Sequence, residues 1–288
     1  NDFYPLPNRT PTDACTNATN YGRLGTEARN MRQITGKLDH RFSDKNSMFV
    51  RGSYFLHETD NGASGSTIYP NDVVAKRDDS LENKNIVISD IHTFTPTFLN
   101  ELRLGATRGY FPFVVRSFGG GWPQKIGLPA SHPADTMPAF NNGTPGFNTG
   151  TAGLRGSINT QVFDMVTKIA GKHTMKFGFD WRMLQGNNFQ RSAPSGSFAF
   201  NAGLTGNPQS PAGNGSSYAS FLLGEVATAS ITTHLGESQR GQSYSAFFQD
   251  DWKVSRRLTL NLGLRWDHQT QPVELNNGMT NFDPNLQV

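Results

Sequence analysis

Residues 242–267 read QSYSAFFQDDWKVSRRLTLNLGLRWD, two alternating runs joined by the polar turn Ser255-Arg256-Arg257. In the second run Leu258, Leu260, Leu262, Leu264 and Trp266 share one parity, and Thr259, Asn261, Gly263, Arg265 and Asp267 share the other. Successive side chains of a strand point to opposite faces, so this is a ribbon with one apolar and one polar face. The first run places Tyr244, Ala246, Phe248, Trp252 and Val254 on one face, and Ser243, Ser245, Gln249, Asp251 and Lys253 on the other. Each run is about ten residues or longer, the length a tilted strand needs to cross a bilayer. Strands of soluble proteins centre on about five or six. Length and alternation together predict a transmembrane β-barrel.

Composition is consistent with that expectation without deciding it. Only 35% of the 288 residues are hydrophobic and the mean hydropathy is negative, too little for a thick packed core. No window holds about 18 consecutive apolar residues, which excludes a helical membrane span. A membrane barrel survives this test, because only alternate residues of each strand need be apolar. The 21 Phe, 7 Tyr and 4 Trp suit strands and the aromatic girdles of a barrel. They suit a soluble, aromatic-rich β-sandwich equally well. The net charge of +3 is scattered, with no basic block of the kind that binds nucleic acid. The single cysteine, Cys15, excludes an internal disulfide framework and a Cys-based zinc site, and any partner it has lies outside the chain. The chain opens on Asn1-Asp2-Phe3 without a signal peptide and reads as an internal piece of a longer polypeptide.

Three more hairpins repeat the design. Residues 33–42 alternate Ile34, Gly36, Leu38, His40 and Phe42 against Gln33, Thr35, Lys37, Asp39 and Arg41, then turn at 43–46 and return through 47–56. Residues 84–94 and 98–110 meet at Thr95-Pro96-Thr97, where proline suits a turn better than a ladder. Residues 158–170 and 174–183 meet at Gly171-Lys172-His173, and Met175, Phe177, Phe179 and Trp181 oppose Lys176, Gly178, Asp180 and Arg182. The links between hairpins differ: 57–83, 111–157 and much of 184–224 are long, rich in Gly, Pro, Asn and Ser, and without sustained alternation. Short turns on one side and long loops on the other are the rhythm of an outer-membrane barrel, with the long loops extracellular. A further strand pair is expected at 225–234 and a strand fragment at 196–200. Periodicity leaves 216–224 open between a helical turn and a strand start. The expected total is nine or ten strands, an all-β, antiparallel, up-and-down partial barrel.

Five stretches resemble one family. YSAFFQDDWKVSRRLTLNLGLRWD (244–267), GKHTMKFGFDWR (171–182), SDIHTFTPTFLNELRLGATR (89–108), QITGKLDHRFSDKNSMFVRGSY (33–54) and SSYASFLLG (216–224) are similar, in order, to the barrel of TonB-dependent outer-membrane receptors of the Oar-like kind. The resemblance spans most of residues 30–270. It implies a barrel of about 22 strands around a plugged lumen in the outer membrane of a Gram-negative cell, contact with outer-membrane lipid, and uptake energised by the TonB complex. The plug and the TonB-contacting segment have no counterpart in this chain, so no residue is carried over for either.

Catalysis finds no support in the residue pattern. The seven histidines are isolated, with no i+2 or i+4 pair to clasp a metal. Asp250 and Asp251 point to opposite faces of a strand and cannot share a ligand. No nucleophile elbow or phosphate loop occurs, and Gly119-Gly120-Gly121 lacks a strand–helix context. No cofactor is expected. The polar strand faces carry the candidate site: Lys37, Asp39, Arg41, Glu101, Arg103, Lys176, Asp180, Arg182, Asn261, Arg265 and Asp267 are expected to line the lumen, where charge is tolerated. Pairing of these charges across neighbouring strands is expected ahead of a direct substrate role. The loop aromatics Phe111, Phe113, Trp122 and Phe140 stand as ligand contacts or as packing of the loop on itself. The rival readings are a soluble β-sheet ligand-binding module, which would bury the apolar face under a second sheet, and a passive porin or adhesin barrel. A siderophore, a carbohydrate, a peptide and a protein all remain open as the substrate.

Overall fold

The computed structural model describes residues 6–13, 20–22, 27–60, 77–133, 135–142, 150–209, 214–233 and 236–278. Cys15 lies outside them. In chain order the strands are β1 (Ala28–Ser43), β2 (Asn46–Asp60), β3 (Arg77–Thr95), β4 (Phe98–Val115), β5 (Ala139–Asn141) and β6 (Thr151–Ala170). They continue with β7 (His173–Ser192), β8 (Ser197–Ala199), β9 (Thr228–Ser230), β10 (Glu237–Lys253), β11 (Thr259–Gln269) and β12 (Val273–Glu274). Two short helices, α1 (Trp122–Lys125) and α2 (Ser217–Leu223), lie in the long connections.

The alternating runs build one antiparallel sheet in the order β1-β2-β3-β4-β6-β7-β10-β11, with β12 alongside β10. The long strands are neighbours in sequence order, the up-and-down arrangement that the hairpins predict. Tight turns at 44–45, 96–97, 171–172 and 254–258 all close the same end. At the third of these, Gly171 takes φ +58°, a left-handed conformation that glycine adopts without steric cost. The strands outrun the alternation that revealed them: β6 and β7 each hold 20 residues. At about 3.3 Å per residue and roughly 40° of tilt, such a strand rises some 50 Å, twice the ~25 Å apolar band of a membrane barrel. In a bilayer their loop ends would reach past that band.

Register fixes the two faces. Leu38, Val50, Ile88, Leu104, Val162, Trp181 and Tyr244 are successive cross-strand partners from β1 to β10. The next row on the opposite face runs Asp39, Phe49, Ser89, Arg103, Phe163, Asp180, Ser245 and Asp267, through all eight long strands. Curvature of a single layer crowds its concave side and splays its convex side. Ser89, Asp180 and Ser245 are 1%, 8% and 6% exposed, whereas Phe177 and Phe179 on the other face are 47% and 44% exposed. The polar face is thus the inner one and the apolar face the outer one. Among the described residues no second sheet covers Phe177, Phe179, Leu260 or Leu262, which removes the sandwich reading.

Apolar burial is found only at the loop end. Phe113, Val115, Met137, Ala139 and Phe200 are the buried hydrophobic side chains among the described residues. They belong to a small cap in which β5 pairs in parallel with β8, and β8 in antiparallel with β9. The cap ties the β4–β6 connection to the β7–β10 connection. The 196–200 fragment is present as β8, but the strand pair expected at 225–234 is not a spanning pair. Its residues are mostly small (VATASITT), give lipid little to hold, and form only the three-residue β9. The undecided stretch 216–224 is helical: Ser216 caps the start through its hydroxyl, which accepts from the Ala219 amide, and Gly224 ends the helix at φ +74°.

Candidate functional site

The inner wall is the surface on which the polar residues converge. All eleven predicted lumen residues stand on it, because every cross-strand pair preserves their parity. Their charges pair differently from expectation. Lys37 Nζ lies 2.5 Å from Asp39 Oδ1, Arg182 Nη2 2.7 Å from Asp180 Oδ2, and Arg265 Nη2 2.9 Å from Asp267 Oδ1. Arg103 pairs with Glu101 in the same way. Each pair joins residues i and i+2 of one strand, so the expected pairing across neighbouring strands is corrected. Same-face neighbours along a strand are about 7 Å apart, within reach of a long basic side chain that would otherwise have to stretch across a seam. Across the seams neutral groups complete the network: Gln161 Nε2 donates to Asp180 Oδ1 at 2.9 Å and Arg265 Nη2 to Ser245 Oγ at 3.1 Å. Arg41 turns to Asp44 at 2.9 Å, Lys176 stands between Thr167 and Gln249, and Asn261 faces Asp251.

Aromatic rings interleave these charges, a feature that sequence reasoning passed over. The Lys37 ammonium lies 4.8 Å from the Phe49 ring centre and the Arg103 guanidinium 5.8 Å from that of Phe163. The Phe247 ring lies over Gly178, where an added Cβ would meet it at 2.1 Å. The signal was available, since Phe247 has the parity of Ser245 and Gln249. A wall of cations, carboxylates and exposed ring faces can hold polar solutes and water while leaving room for aromatic stacking.

The loop aromatics divide. Phe113 is 2% exposed, with the guanidinium groups of Arg77 and Arg155 at 5.1 and 5.5 Å from its ring centre, so it serves the cap core. Phe140 stacks on Phe198 at 5.6 Å and meets Phe221 edge-on at 5.9 Å. Phe111 lies 5.5 Å from Phe113 on the inner side, and Trp122 carries the Lys125 ammonium at 4.8 Å. Above β2, β3 and β4 Arg116 binds Asp78, with Nε 3.1 Å from Oδ1, and also Asp60. The hydrogen bond to Asp78, then the charges of Asp78 and Asp60, raise the affinity of its guanidinium for the proton, against the effect of burial. Among the described residues no three His, Asp or Glu side chains gather closely enough to hold a metal ion.

The outer wall is not uniformly apolar. Near the turns Asn46 Nδ2 donates to Asp90 Oδ1 at 2.9 Å, Asn100 Nδ2 to Asp164 Oδ1 at 2.6 Å, and His173 Nδ1 lies 2.6 Å from Asp250 Oδ2. Each pair bridges a seam between hairpins: β2–β3, β4–β6 and β7–β10. Asp250 thus falls among Phe248 and Trp252, inside a run that reads as apolar by parity, and its Oδ2 is held by His173.

Comparison with known proteins agrees with this geometry. A family model described as outer membrane beta barrel domain matches residues 1–288. No curated protein matches the chain. Among solved structures, P. aeruginosa FpvA bound to heterologous pyoverdines aligns with a TM-score of 0.51 at 11% identity, over 86% of this chain and 31% of that one. The outer membrane transporter YddB from Escherichia coli aligns with a TM-score of 0.51 at 11% identity, over 86% and 29%. The chain therefore spans about a third of the length of the solved proteins it resembles, and the likeness is one of fold. On the match across its whole length, the chain belongs to the outer membrane beta barrel domain family, and its place is the outer membrane.

Proposed function

We propose that this chain forms part of the wall of an Oar-like, TonB-dependent receptor that binds a substrate at its extracellular loops and admits it through the lumen. The observation that carries the reading is the inner row from Asp39 to Asp267, which crosses eight strands with a polar residue on six of them and a Phe on two. At about 4.8 Å per strand those eight strands cover roughly 34 Å of circumference without closing. Eight strands closing alone would leave an interior only wide enough for side chains. An open arc of this width fits a segment of a larger barrel with a wet interior, and the chain covers 29% of the outer membrane transporter YddB, which it resembles in fold. The uptake step is a movement, not a bond change: substrate settles on the loops, energy from TonB displaces the plug, and the ion-paired wall offers successive weak contacts. Charges already paired along a strand remain soluble partners for a passing polar solute without trapping it.

The test is uptake of candidate iron chelates, oligosaccharides and peptides by cells lacking the gene, with and without a working TonB complex. The expected result is one substrate whose uptake is lost in both deletions and restored by the full-length gene only when TonB is intact. Restoration without TonB would identify a passive pore instead.

A further inference from the structure

The outer face is sorted by charge along the barrel. At the turn end it carries the carboxylates Asp90, Asp164 and Asp250, with Lys168. At the loop end the same face carries Arg32, Lys84, Arg108, Arg191 and Arg240 against Glu58, Asp60, Asp78 and Glu82. Arg32 lies 3.7 Å from Glu58 and Lys84 2.8 Å from Glu82. Arg108 and Arg240 form no ion pair with a carboxylate among the described residues. Arg108 lies 5.9 Å from the centre of the Tyr110 ring, and Arg240 Nη1 donates to Asn187 Oδ1 at 3.2 Å and to the Gln239 carbonyl at 2.8 Å.

Arg108 lines a groove, and Arg240 stands beside it, in the cross-strand row of the lining residue Ile158. Arg108, Ile158, Gln185 and Arg240 are successive partners in one cross-strand row. The arginines are thus three strands apart, about 14 Å at ~4.8 Å per strand. The next row toward the loops holds Tyr110, Gly156, Asn187 and Ser238. A Cβ on Gly156 would have no atom within 4 Å, so the row is notched there. The groove measures about 300 Å³ and is walled by the exposed side chains of Tyr110, Ile158 and Phe189. Glu237, which also borders it, belongs by alternation to the inner face. Because its walls share the face of Phe177 and Leu104, the groove opens toward lipid and not toward the lumen.

We propose that this Gly156 groove binds a phosphate-bearing lipid of the leaflet at the loop end, its phosphate held by Arg108 and Arg240 and its apolar part by Tyr110, Ile158 and Phe189. Guanidinium groups bind phosphate oxygens in a two-pronged geometry, and an arginine beside the apolar band keeps its stem in lipid and its head at the headgroup level. A free phosphate ion would gain nothing from the apolar walls, which is why a lipid is the occupant assigned.

The test uses the full-length protein in phosphatidylcholine bilayers and measures its association with spin-labelled phosphatidylglycerol and with spin-labelled phosphatidylcholine. Phosphatidylglycerol is expected to be preferred. Arg108→Gln and Arg240→Gln should each cut that preference about fivefold, the worth of one basic side chain near a membrane surface. Gly156→Leu, which fills the notch without backbone strain, should cut it comparably and leave the heat-modifiable migration of the folded barrel unchanged. Excess inorganic phosphate should not displace the lipid. Unchanged preference in the two arginine variants, or displacement by inorganic phosphate alone, would overturn the proposal. So would a loss of preference caused by Asp90→Asn at the opposite rim but not by the arginine changes.

Discussion

The spanning sheet and the loop-end cap solve the same folding problem in opposite ways. Within the sheet below the cap, the buried residues are Ser89, Asp180, Ser245 and Asp250, all polar, while Phe177, Phe179, Leu262 and Leu264 are exposed. In the cap the arrangement is that of a soluble protein, with Val115, Met137 and Phe200 enclosed. The sheet derives its stability from ladder hydrogen bonds and from the lipid that wets its outer face; the cap derives its stability from a core of its own. A strand that crosses a bilayer needs no second layer, because the solvent supplies it.

That contrast is broken most strongly at the cap core. Met137→Ala should destabilise the cap by about 2–5 kcal/mol, the usual cost of truncating a fully buried side chain. Limited proteolysis should then cut within residues 116–150, while the sheet keeps its resistance to unfolding in detergent. Loss of the whole barrel would mean that sheet and cap fold as one unit. On the sheet, Leu104→Arg places a charge on the lipid side and should cost about 2–4 kcal/mol in denaturant unfolding from bilayers. Asn159→Arg, on the inner face, should be close to neutral, and equal costs at the two positions would erase the distinction between the walls. The smallest effect concerns the loop end of the sheet, where β12 pairs with β10. Glu274 accepts the amides of Gly278, Asn276 and Ser238 at 2.7, 2.7 and 3.0 Å. These bonds, that from Gly278 foremost, hold its carboxyl below its ordinary value of 4.5. A depressed carboxylate stabilises fully above its unfolded value and loses that contribution as pH falls through the folded one. Amide exchange at Ser238 should therefore accelerate below about pH 4.5, and Glu274→Gln should remove the pH dependence.

The sheet was legible because its outer face has a solvent of its own and so leaves a period of two in the sequence, as in Leu260, Leu262 and Leu264. Strand length was not legible, since toward their loop ends β6 and β7 leave the apolar band for the headgroup level and beyond, and Asn187, Asn188 and Gln190 carry no alternation. Of the cap only the 196–200 fragment was legible, as β8, and its partners β5 and β9 were not, for a related reason. Its strands are three residues long and pair across connections distant in sequence, so neither period nor turn chemistry announces them. Helix α2 did carry its own punctuation, Ser216 before it and Gly224 after it, which seven residues of ambiguous periodicity obscured. Parity groups the polar residues on one face, as the register does, yet it missed their ion pairs, because parity says nothing of whether an arginine reaches along the strand or across it. Asp250 shows the converse, a polar residue on an apolar face whose side chain meets His173 diagonally across the seam.

The central claim is that one flank of these strands meets lipid and the other water. Nitroxide labels placed singly at Asn261, Leu262, Leu264 and Arg265 of the full-length protein in bilayers test it directly. Relaxation by oxygen, which concentrates in lipid, should dominate at 262 and 264, and relaxation by a water-soluble nickel chelate should dominate at 261 and 265. The same accessibility at all four positions, or the reverse alternation, would contradict the account.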